Sequence, residues 1–385
     1  YSYLFVAGSG NNGGDALVMA RQAHLFGFPR VNVLMAREKM NETVRAQRAM
    51  VENLKIPIAV WEGDEEAGRS LIREAEIIFD GISGTGIRGA LRAPLSSLVE
   101  ELNAQERTVR VAIDVPSGVG NDFEEGMPAV RAALTLTMGL PKLPLYSLAA
   151  RPCAGRIETV DVGFPPALLR DPEGAVDLLE AVPPLQIRPE AYKNSRGHCA
   201  VFCGARGTSG AAALGAEAAA RSGTGLTSLM ADEEIYGALA AKLTSVMVKP
   251  LAGIESQDGL APFTAFLAGS GWGLEGRQAI LRMLIDSGTP GVLDADGIRV
   301  LRLLQEEEGH SAIAEQLGGR WVCTPHPGEF RILSQQDRGS LRRDPLAAVA
   351  ETAEAYGMVM LLKAHVCYVA APDGQRAIVD GMNPA

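Results

Sequence analysis

The residues Gly8-Ser9-Gly10-Asn11-Asn12-Gly13-Gly14-Asp15 follow an apolar run that ends at Ala7 and precede a segment with apolar residues at helical spacing. A strand, a glycine-rich turn and a helix in this order form the first unit of a doubly wound α/β domain. Backbone N–H groups in such a turn, and at the start of the helix, can hold a phosphate. The turn is equally compatible with a tight connection that binds no ligand.

Short apolar runs alternate with amphipathic stretches along the rest of the chain, which is typical of a parallel sheet covered by helices on both faces. A proline-containing, acidic stretch interrupts this alternation and has the composition of a linker. We therefore predict an α/β protein with a Rossmann-like doubly wound domain at 1–172, a linker at 173–197 and a second α/β domain at 198–385. The predicted strands after the first are 31–35, 77–79, 109–113, 134–138, 199–203, 291–293, 321–323, 358–362 and 366–370.

Composition limits the classes of function. The 385 residues carry a net charge of −10 without a run of Lys or Arg, which disfavours a nucleic-acid-binding groove. Five cysteines without paired spacing suit a reducing cytoplasm. No stretch reaches the ~18 consecutive apolar residues of a membrane helix. We expect a cytoplasmic homo-oligomer with small-molecule partners and no membrane or nucleic-acid partner.

Both ends of the chain lack the features of natural termini. The chain begins with Tyr1 rather than Met and enters an apolar run at once, and residues 380–385 read as an interrupted loop. We expect both termini to be truncated.

Two further loops carry an aspartate where a predicted strand ends. They are Asp80-Gly81-Ile82-Ser83-Gly84-Thr85-Gly86-Ile87-Arg88-Gly89 and Asp114-Val115-Pro116-Ser117-Gly118. A single aspartate of this kind is usually a helix cap or a turn former. Ligands of open α/β sheets bind beyond the carboxyl ends of the strands, however, so three polar loops at that edge predict one site. Glycines there allow close backbone approach, and Arg88 can meet a phosphate.

The glycine-rich turn also matches the Gly-x-Gly-x-x-Gly pattern of Rossmann oxidoreductases. Such an enzyme places an acidic residue about 20 positions further on, and Glu38 is the available candidate. That pattern does not explain the two adjacent asparagines and the aspartate that follow. The alternatives that remain are an oxidoreductase fused to a small-molecule kinase and a non-catalytic nucleotide-binding protein.

Over about residues 1–170, the three loops resemble the NAD(P)H-hydrate epimerase domain, with its GNNGGD turn, D-x-x-x-GTG loop and D-[IV]-PSG loop. Ser83 is a departure, since a bulkier apolar residue usually precedes the GTG. The resemblance implies that the turn and the GTG loop bind the hydrated cofactor. The implied residues are Asn11, Asn12, Gly13, Gly14, Asp15, Gly84, Thr85, Gly86, Ile87, Arg88, Gly89 and Ala90.

The same resemblance implies a potassium ion and a reacting pair. The ion would be bound by Asn12, Asp80 and Ser117, whose oxygen atoms suit a hard cation. Asp114 would contact the nicotinamide ring, and Lys142 matches the family's lysine after the next strand. Inverting a carbon that bears a hydroxyl requires proton movement, for which a carboxylate and an ammonium offer a general base and a general acid. Without that context, Lys142 would equally suit a solvated surface lysine.

Over about residues 175–385 the chain resembles the ADP-dependent NAD(P)H-hydrate dehydratase, which has a ribokinase-like fold. The most specific motifs are Leu293-Asp294-Ala295-Asp296 and Thr324-Pro325-His326-Pro327-Gly328-Glu329-Phe330, with Ala268-Gly269-Ser270-Gly271-Trp272-Gly273 for the family's GPGLG. The resemblance implies that Ala211, Gly271 and His326 bind the hydrated cofactor. It also implies that ADP, with Mg²⁺, binds the segment Lys363, Ala364, His365, Val366 and Cys367.

The second resemblance has two departures, of which Ser270 for proline is the milder, and one missing element. Ala364 replaces the usual glycine, and no Gly-x-Gly-Asp sequence, the family's anion hole and catalytic aspartate, occurs in the chain. The two resemblances together imply a bifunctional enzyme that epimerises the R and S forms of NADHX and NADPHX. It would dehydrate the S form to NAD(P)H, with ADP as phosphoryl donor.

Overall fold

The structure, a computed structural model, describes residues 1–170, 174–181, 186–254, 256–334 and 338–381. It divides into two units, Tyr1–Ala175 and Val176–Ala385. Residues 171–173 and 182–185, at the predicted domain boundary and in the predicted linker, lie outside the described residues. Within the described ranges, no helix is long and apolar enough to cross a membrane.

The first unit contains one seven-stranded sheet. Its strands are β1 (Tyr3–Ala7), β2 (Val31–Met35), β3 (Ile58–Val60), β4 (Ile77–Gly81), β5 (Val109–Ile113), β6 (Leu134–Met138) and β7 (Arg156–Val160). Its α-helices are α1 (Asn11–Leu25), α2 (Glu42–Asn53), α3 (Glu65–Glu74), α4 (Leu95–Ala104), α5 (Arg151–Ala154) and α6 (Pro166–Leu169), and a 3₁₀ helix spans Leu143–Tyr146. Asn41 and Asp64 cap α2 and α3 through their side-chain oxygens.

The strand order of the first sheet is β3-β2-β1-β4-β5-β6-β7, and all its pairs are parallel. The chain leaves β1 toward one edge and returns on its other side at β4. In a doubly wound sheet this reversal opens a crevice between the two strands at their carboxyl ends. The glycine-rich turn follows β1 and the Asp80 loop belongs to β4, so both flank the crevice.

The second unit contains a ten-stranded sheet. Its strands are β8 (Asp177–Leu178), β9 (His198–Phe202), β10 (Leu226–Ala231), β11 (Met247–Pro250), β12 (Ala265–Ala268), β13 (Gly291–Leu293), β14 (Trp321–Cys323), β15 (Val359–Leu362), β16 (Cys367–Ala370) and β17 (Arg376–Val379). Its α-helices are α7 (Ser209–Arg221), α8 (Glu233–Lys242), α9 (Arg277–Asp286), α10 (Asp296–Glu308), α11 (His310–Leu317), α12 (Pro327–Ser334), α13 (Arg338–Arg343) and α14 (Pro345–Tyr356). Short 3₁₀ helices span Lys193–Arg196, Leu251–Gly253 and Gln257–Leu260.

The strand order of the second sheet is β11-β10-β9-β12-β13-β14-β15-β16-β17-β8. Its crevice lies between β9 and β12, where the order reverses. The expectation of a purely parallel sheet is wrong here, because β16 pairs antiparallel with both β15 and β17. Only four residues connect β15 to β16, too few for the crossover that a parallel pair requires. The predicted linker also contains β8, which pairs with β17.

Candidate functional sites

The glycines of the first turn are required by close backbone contacts. A Cβ atom on Gly8 would lie 1.8 Å from the carbonyl oxygen of Ile82, and one on Gly13 would lie 2.1 Å from the carbonyl oxygen of Gly8. The turn therefore packs directly against the Asp80 loop. Helix α1 begins at Asn11 without a side-chain cap, which leaves its amino end facing the crevice.

Asp80 and Ser117 join the second loop to the third. The hydroxyl of Ser117 donates to Asp80 Oδ1 at 2.5 Å, and the backbone N–H of Ser117 donates to Asp80 Oδ2 at 2.8 Å. The Ser117 hydroxyl also accepts from the backbone N–H of Ser83 at 2.8 Å, and Ser83 Oγ accepts from the N–H of Gly118 at 3.0 Å. The unusual Ser83 thus takes part in the connection between the two loops.

Asn12 links the first turn to the same cluster. Its Nδ2 donates to the carbonyl oxygens of Ser83 and Ile113, both at 2.9 Å. Its Oδ1 is buried and has no hydrogen-bond partner among the described residues. A buried oxygen without a donor is costly unless a ligand or ion meets it.

The carboxylate of Asp80 is fully buried, and burial raises its pKa to about 6, although hydrogen bonds from Ser117 and Ile82 oppose this shift. Within the described residues, no ammonium or guanidinium forms an ion pair with it. The cluster of Asn12, Asp80 and Ser117, predicted as a cation site, is therefore brought together in a buried position that lacks a positive charge from the protein.

Asp114 and Lys142 form an ion pair at the same edge of the sheet. Asp114 directly follows β5 and has a left-handed backbone, with φ of 67°, a conformation that aspartate tolerates better than most residues and that often occurs at functional positions. Its Oδ1 accepts from the ammonium of Lys142 and from the N–H of Met138. The ammonium also donates to the carbonyl oxygen of Met138 at 2.7 Å.

Other predicted residues of the first site differ in exposure. Asp15 is half-buried. Its pKa is raised mainly by burial and, to a smaller extent, by the nearby negative charge of Asp114. Asn11 is exposed and accepts from Asn41 Nδ2. Arg88 is exposed on the GTG loop, and the loop is held at Gly89, whose N–H donates to Asp122 at 2.6 Å. Of the remaining predicted loop positions, Gly84, Ile87 and Gly89 are partly buried, whereas Thr85, Gly86 and Ala90 are exposed.

In the second unit, Ala211 and Gly271 lie against each other across the crevice. Gly271 has φ of 61°, and a Cβ atom there would lie 3.0 Å from Ala211 Cβ. The hydroxyl of Thr208 donates to the carbonyl oxygen of Gly271 at 2.6 Å. The structure therefore brings together two of the three residues predicted to bind the hydrated cofactor.

Asp294 follows β13 and connects three neighbouring loops. Its Oδ2 accepts from Ser270 Oγ at 3.1 Å, and its Oδ1 accepts from Thr324 Oγ1 at 3.0 Å and from Lys363 Nζ at 2.6 Å. Burial pushes the pKa of this carboxyl upward, but the hydrogen bond and charge of Lys363, together with the hydrogen bonds of Thr324 and Ser270, outweigh burial and leave it lowered.

His326 lies between β14 and α12, with its side chain 56% exposed. Its Nδ1 accepts from the N–H of Gly328 at 2.9 Å, so Nε2 carries the proton and faces Glu329 Oε1 at 3.2 Å. The buried Glu329 also accepts from the backbone N–H of His326 at 3.0 Å. The ring is thereby held in one orientation, with its exposed face toward solvent.

The segment from Lys363 to Cys367 forms the turn between β15 and β16. The N–H of Lys363 donates to the carbonyl oxygen of Pro325 at 2.8 Å, which ties this turn to the His326 loop. The carbonyl oxygen of Ala364 accepts from Cys367 Sγ at 3.5 Å. His365 Nε2 is buried and has no partner among the described residues, and Val366 is buried.

Sequence reasoning missed several residues that organise the second site. Asp294 was recognised only as part of a motif, and Thr208, Thr324 and Glu329 were given no role. One signal was available for Asp294, because it is an aspartate at a strand end, like Asp80 and Asp114. Hydrogen bonds of Thr208 and Glu329 depend on side-chain placement that no local pattern specifies.

Fold and sites together define a two-domain α/β protein with a separate polar site beyond the strand ends of each sheet. Two family models match it in order along the chain. Residues 2–144 match the YjeF-related protein N-terminus, and residues 199–385 match NAD(P)H-hydrate dehydratase.

Curated relatives cover nearly the whole chain. The bifunctional NAD(P)H-hydrate repair enzyme Nnr of Salinibacter ruber is 33% identical over 99% of this chain and 75% of its own length. The enzyme of the same name from Hyperthermus butylicus is 32% identical over 96% of this chain and 69% of its own length. The chain belongs to the family of bifunctional NAD(P)H-hydrate repair enzymes, as its motifs predicted, and the α/β class is confirmed.

Solved structures resemble part of the chain. A ribokinase-like superfamily protein from Enterococcus faecalis is 24% identical, with a TM-score of 0.45, over 52% of this chain and 68% of its own. An ADP/ATP-dependent NAD(P)H-hydrate dehydratase from Bacillus subtilis, co-crystallised with ATP and Mg²⁺, is 20% identical, with a TM-score of 0.41, over 51% of this chain and 68% of its own.

Proposed function

We propose that this chain repairs hydrated nicotinamide cofactors. The first unit interconverts the R and S forms of NADHX and NADPHX, and the second unit dehydrates the S form to NAD(P)H with ADP as phosphoryl donor. Family membership supports the pair of activities. The assignment of individual residues rests on the geometry of each site.

The Asp114–Lys142 pair carries the proposal for the first unit. Inversion at a carbon that bears a hydroxyl requires protons to move to and from the substrate. Asp114 and Lys142 offer a carboxylate and an ammonium in direct contact, both partly exposed beyond β5 and β6. The left-handed backbone of Asp114 points to a position held for function rather than for packing. Either group can give up a proton while the other accepts one.

The hydrated cofactor would lie against the amino end of α1 and the GTG loop. The uncapped N–H groups of the helix favour the negative charge of its phosphates. Arg88 is exposed on the loop and can add a guanidinium to the same phosphates. The nicotinamide end would then point toward Asp114, which lies beyond the next strand of the sheet.

Asn12, Asp80 and Ser117 suit a potassium ion. The unpartnered Oδ1 of Asn12 and the fully buried Asp80 carboxylate are oxygen donors in a place where the protein supplies no cation among its described residues. A bound potassium ion would compensate the buried charge and fix the turn, the Asp80 loop and the Ser117 loop relative to one another.

For the second unit, we propose that Ala211, Gly271 and His326 contact the hydrated cofactor and that ADP with Mg²⁺ binds the 363–367 segment. Gly271 lacks a side chain where Ala211 and Thr208 approach closely, since a Cβ atom there would lie 3.0 Å from the Cβ of each, and this leaves backbone open to a ligand. His326 offers an imidazole that Glu329 holds in a fixed orientation. Transfer of phosphate from ADP to the ring hydroxyl, followed by loss of phosphate, would regenerate NAD(P)H.

The test starts from a single purified epimer of NADPHX. We expect the full chain to convert it into a mixture of both epimers, separable by chromatography, and to bind ADP with Mg²⁺; any NADPH formed from the S epimer should require both. An epimer that stays unchanged relative to buffer would refute the first activity. NADPH formation that is independent of ADP, or a chain that does not bind ADP with Mg²⁺, would refute the second. The predicted cytoplasmic location and homo-oligomeric state stay predictions.

A further inference from the structure

One carboxylate joins the loops that carry the proposed dehydratase site. Asp294 lies in the middle of the second sheet and accepts hydrogen bonds from Ser270, Thr324 and Lys363. These partners follow β12, β14 and β15, while Asp294 itself follows β13. The side chain therefore links four consecutive strand ends.

Each partner of Asp294 is adjacent to a residue proposed to bind a ligand. Ser270 directly precedes Gly271, Thr324 lies two residues before His326, and Lys363 begins the proposed ADP segment. A movement of the Asp294 carboxylate would therefore be transmitted to both ligands of the dehydratase.

The backbone around Asp294 strengthens this linkage. A Cβ atom on Gly269 would lie 1.9 Å from the carbonyl oxygen of Asp294, so the two loops are in direct contact. Ala295, the next residue, has φ of 48°, an unfavourable conformation for alanine. The surrounding structure maintains this strained turn, and it fixes the direction in which Asp294 leaves the strand.

The ammonium of Lys363 is already neutralised. It lies 2.6 Å from Asp294 Oδ1, at the distance of a charge-assisted hydrogen bond. Phosphate groups of ADP would have to compete with this carboxylate for the ammonium. They would also approach a carboxylate that repels them if the ammonium moved away.

We infer that Asp294 is a positioning residue of the dehydratase site, and that Lys363 is its internal counter-ion rather than a direct ligand of the ADP phosphates. The inference rests on the proposed function of the second unit. If Lys363 is not a phosphate ligand, the 363–367 segment contacts ADP through its backbone and its other side chains. Lys363 then acts on ADP only by holding this turn against the His326 loop.

The two possible roles of Lys363 predict opposite effects of Asp294→Asn. If the ammonium only neutralises Asp294, loss of the charge loosens the turn and weakens ADP binding. If the ammonium is a phosphate ligand, the same substitution frees it and removes a repelling carboxylate, so ADP binding is unchanged or tighter.

The experiment is a calorimetric titration of the full chain with ADP and Mg²⁺. We compare the wild type with Asp294→Asn, Lys363→Met and the double variant, and use Asp286→Asn as control, since Asp286 pairs with Arg282 on α9 away from these loops. We expect each of the two single variants to weaken ADP binding about tenfold, the equivalent of about 1.4 kcal/mol. We expect the double variant to bind no more weakly than the weaker single variant, because both remove one interaction.

Additional measurements separate the outcomes. The epimerisation rate of each variant, which depends on the first unit, should stay within about twofold of the wild type, and it reports the amount of folded first unit. Denaturant unfolding reports whether the second unit is folded. Thr324→Val removes one hydroxyl from Asp294 without touching the ion pair, and serves if Asp294→Asn destabilises the second unit. We expect it to weaken ADP binding about threefold.

Wild-type ADP affinity in both Asp294→Asn and Thr324→Val, or tighter binding in Asp294→Asn, would overturn the inference. So would additive losses in the double variant. A wild-type chain that does not bind ADP would overturn the proposed function, and this inference with it.

Discussion

Asp80 and Asp294 both lie at the carboxyl ends of strands, one in each sheet, but differ in how their charge is balanced. Each lies at the carboxyl end of a central strand and accepts hydrogen bonds from a neighbouring loop. Asp80 is fully buried among neutral donors, and burial raises its pKa to about 6. Asp294 is partly exposed and pairs with Lys363; burial raises its pKa, but the hydrogen bond and charge of Lys363, with the hydrogen bonds of Thr324 and Ser270, leave it lowered.

This difference shows that an aspartate at the carboxyl end of a parallel strand can belong to two kinds of site. In the second unit the protein supplies the cation, and the strand ends form a charge-balanced framework for ligands. In the first unit the carboxylate has no such partner among the described residues, and Asn12 Oδ1, in the same cluster, has no hydrogen-bond partner among them. We propose that a cation from solution balances this site.

The largest effect is expected at Asp114. We propose it as the reacting carboxylate of the first unit, distinct from Asp80 in the proposed cation site. Asp114→Asn keeps the side-chain shape and tolerates a left-handed backbone, but cannot act as a base. We expect the epimerisation rate of the full chain to fall at least about 100-fold, the usual contribution of a general acid or base.

Asp161→Asn provides the matched control for this rate. Asp161 follows β7 at the same edge of the sheet and only caps its own turn, through the N–H of Gly163. Its substitution should leave the rate unchanged. Equal losses in both variants would show that Asp114 acts through the stability of the sheet edge rather than through chemistry.

The next largest effect concerns the glycine beside each aspartate loop. A Cβ atom on Gly8 would lie 1.8 Å from the carbonyl oxygen of Ile82, and one on Gly269 would lie 1.9 Å from that of Asp294. We expect Gly8→Ala and Gly269→Ala each to lower the free energy of unfolding of its own unit by about 3 kcal/mol, because backbone must move to relieve the contact. Denaturant unfolding measures this loss.

Glycines without close neighbours provide the controls. A Cβ atom on Gly10 or on Gly210 would have no neighbouring atom within 4 Å, and neither residue has a left-handed backbone. Gly10→Ala and Gly210→Ala should therefore change the free energy of unfolding by less than about 1 kcal/mol. Losses of similar size at all four positions would contradict the assignment of Gly8 and Gly269 to tight loop contacts.

A smaller effect is expected from potassium on stability. A ligand that binds only the folded state raises its stability, so potassium should raise the midpoint of thermal unfolding of the first unit by about 2–4 °C, the equivalent of about 1 kcal/mol. Tetramethylammonium at the same ionic strength is too large for the site and should have no such effect. Asp80→Asn should abolish the difference between the two cations, and its persistence in this variant would place the potassium site elsewhere.

The smallest effect is expected at Asp122, whose carboxylate holds the GTG loop through Gly89. Asp122→Asn should raise the KM for NADPHX no more than about fivefold and leave kcat unchanged, because an exposed hydrogen bond contributes little and acts on binding. Asn121→Ala, at the exposed neighbouring position, should change neither constant. A fall in kcat at Asp122 would indicate a direct part in the reaction.

The sequence predicted what depends on local patterns and chain order. Strands 109–113 and 134–138 were predicted with the bounds that the structure has, since each is a short apolar run between turn residues. The convergence of the three polar loops followed from the parallel order of the strands. The choice of Asn12, Asp80 and Ser117 within them came from the resemblance to the epimerase family.

The sequence did not predict what depends on long-range side-chain geometry. The pairing of Lys363 with Asp294 joins residues that are 69 positions apart. The contact that orients His326 spans only three positions, to Glu329, but it depends on how the two side chains are placed. The antiparallel β16 was missed because its apolar run looks the same in either direction. The antiparallel direction is revealed only by the short connection from β15, which has four residues in the structure. The predicted strand bounds made this connection one residue shorter still.

The difference between Asp80 and Asp294 is tested most directly by exchanging the cation in solution and measuring both units of the full chain. We would replace potassium by tetramethylammonium at constant ionic strength and measure, in the same preparation, the thermal midpoint of the first unit and the ADP affinity of the second. We predict that the midpoint falls while the ADP affinity stays within about twofold, because Lys363 supplies the second cation. An unchanged midpoint, or an ADP affinity that falls with it, would contradict a first site balanced from solution and a second balanced by the protein itself.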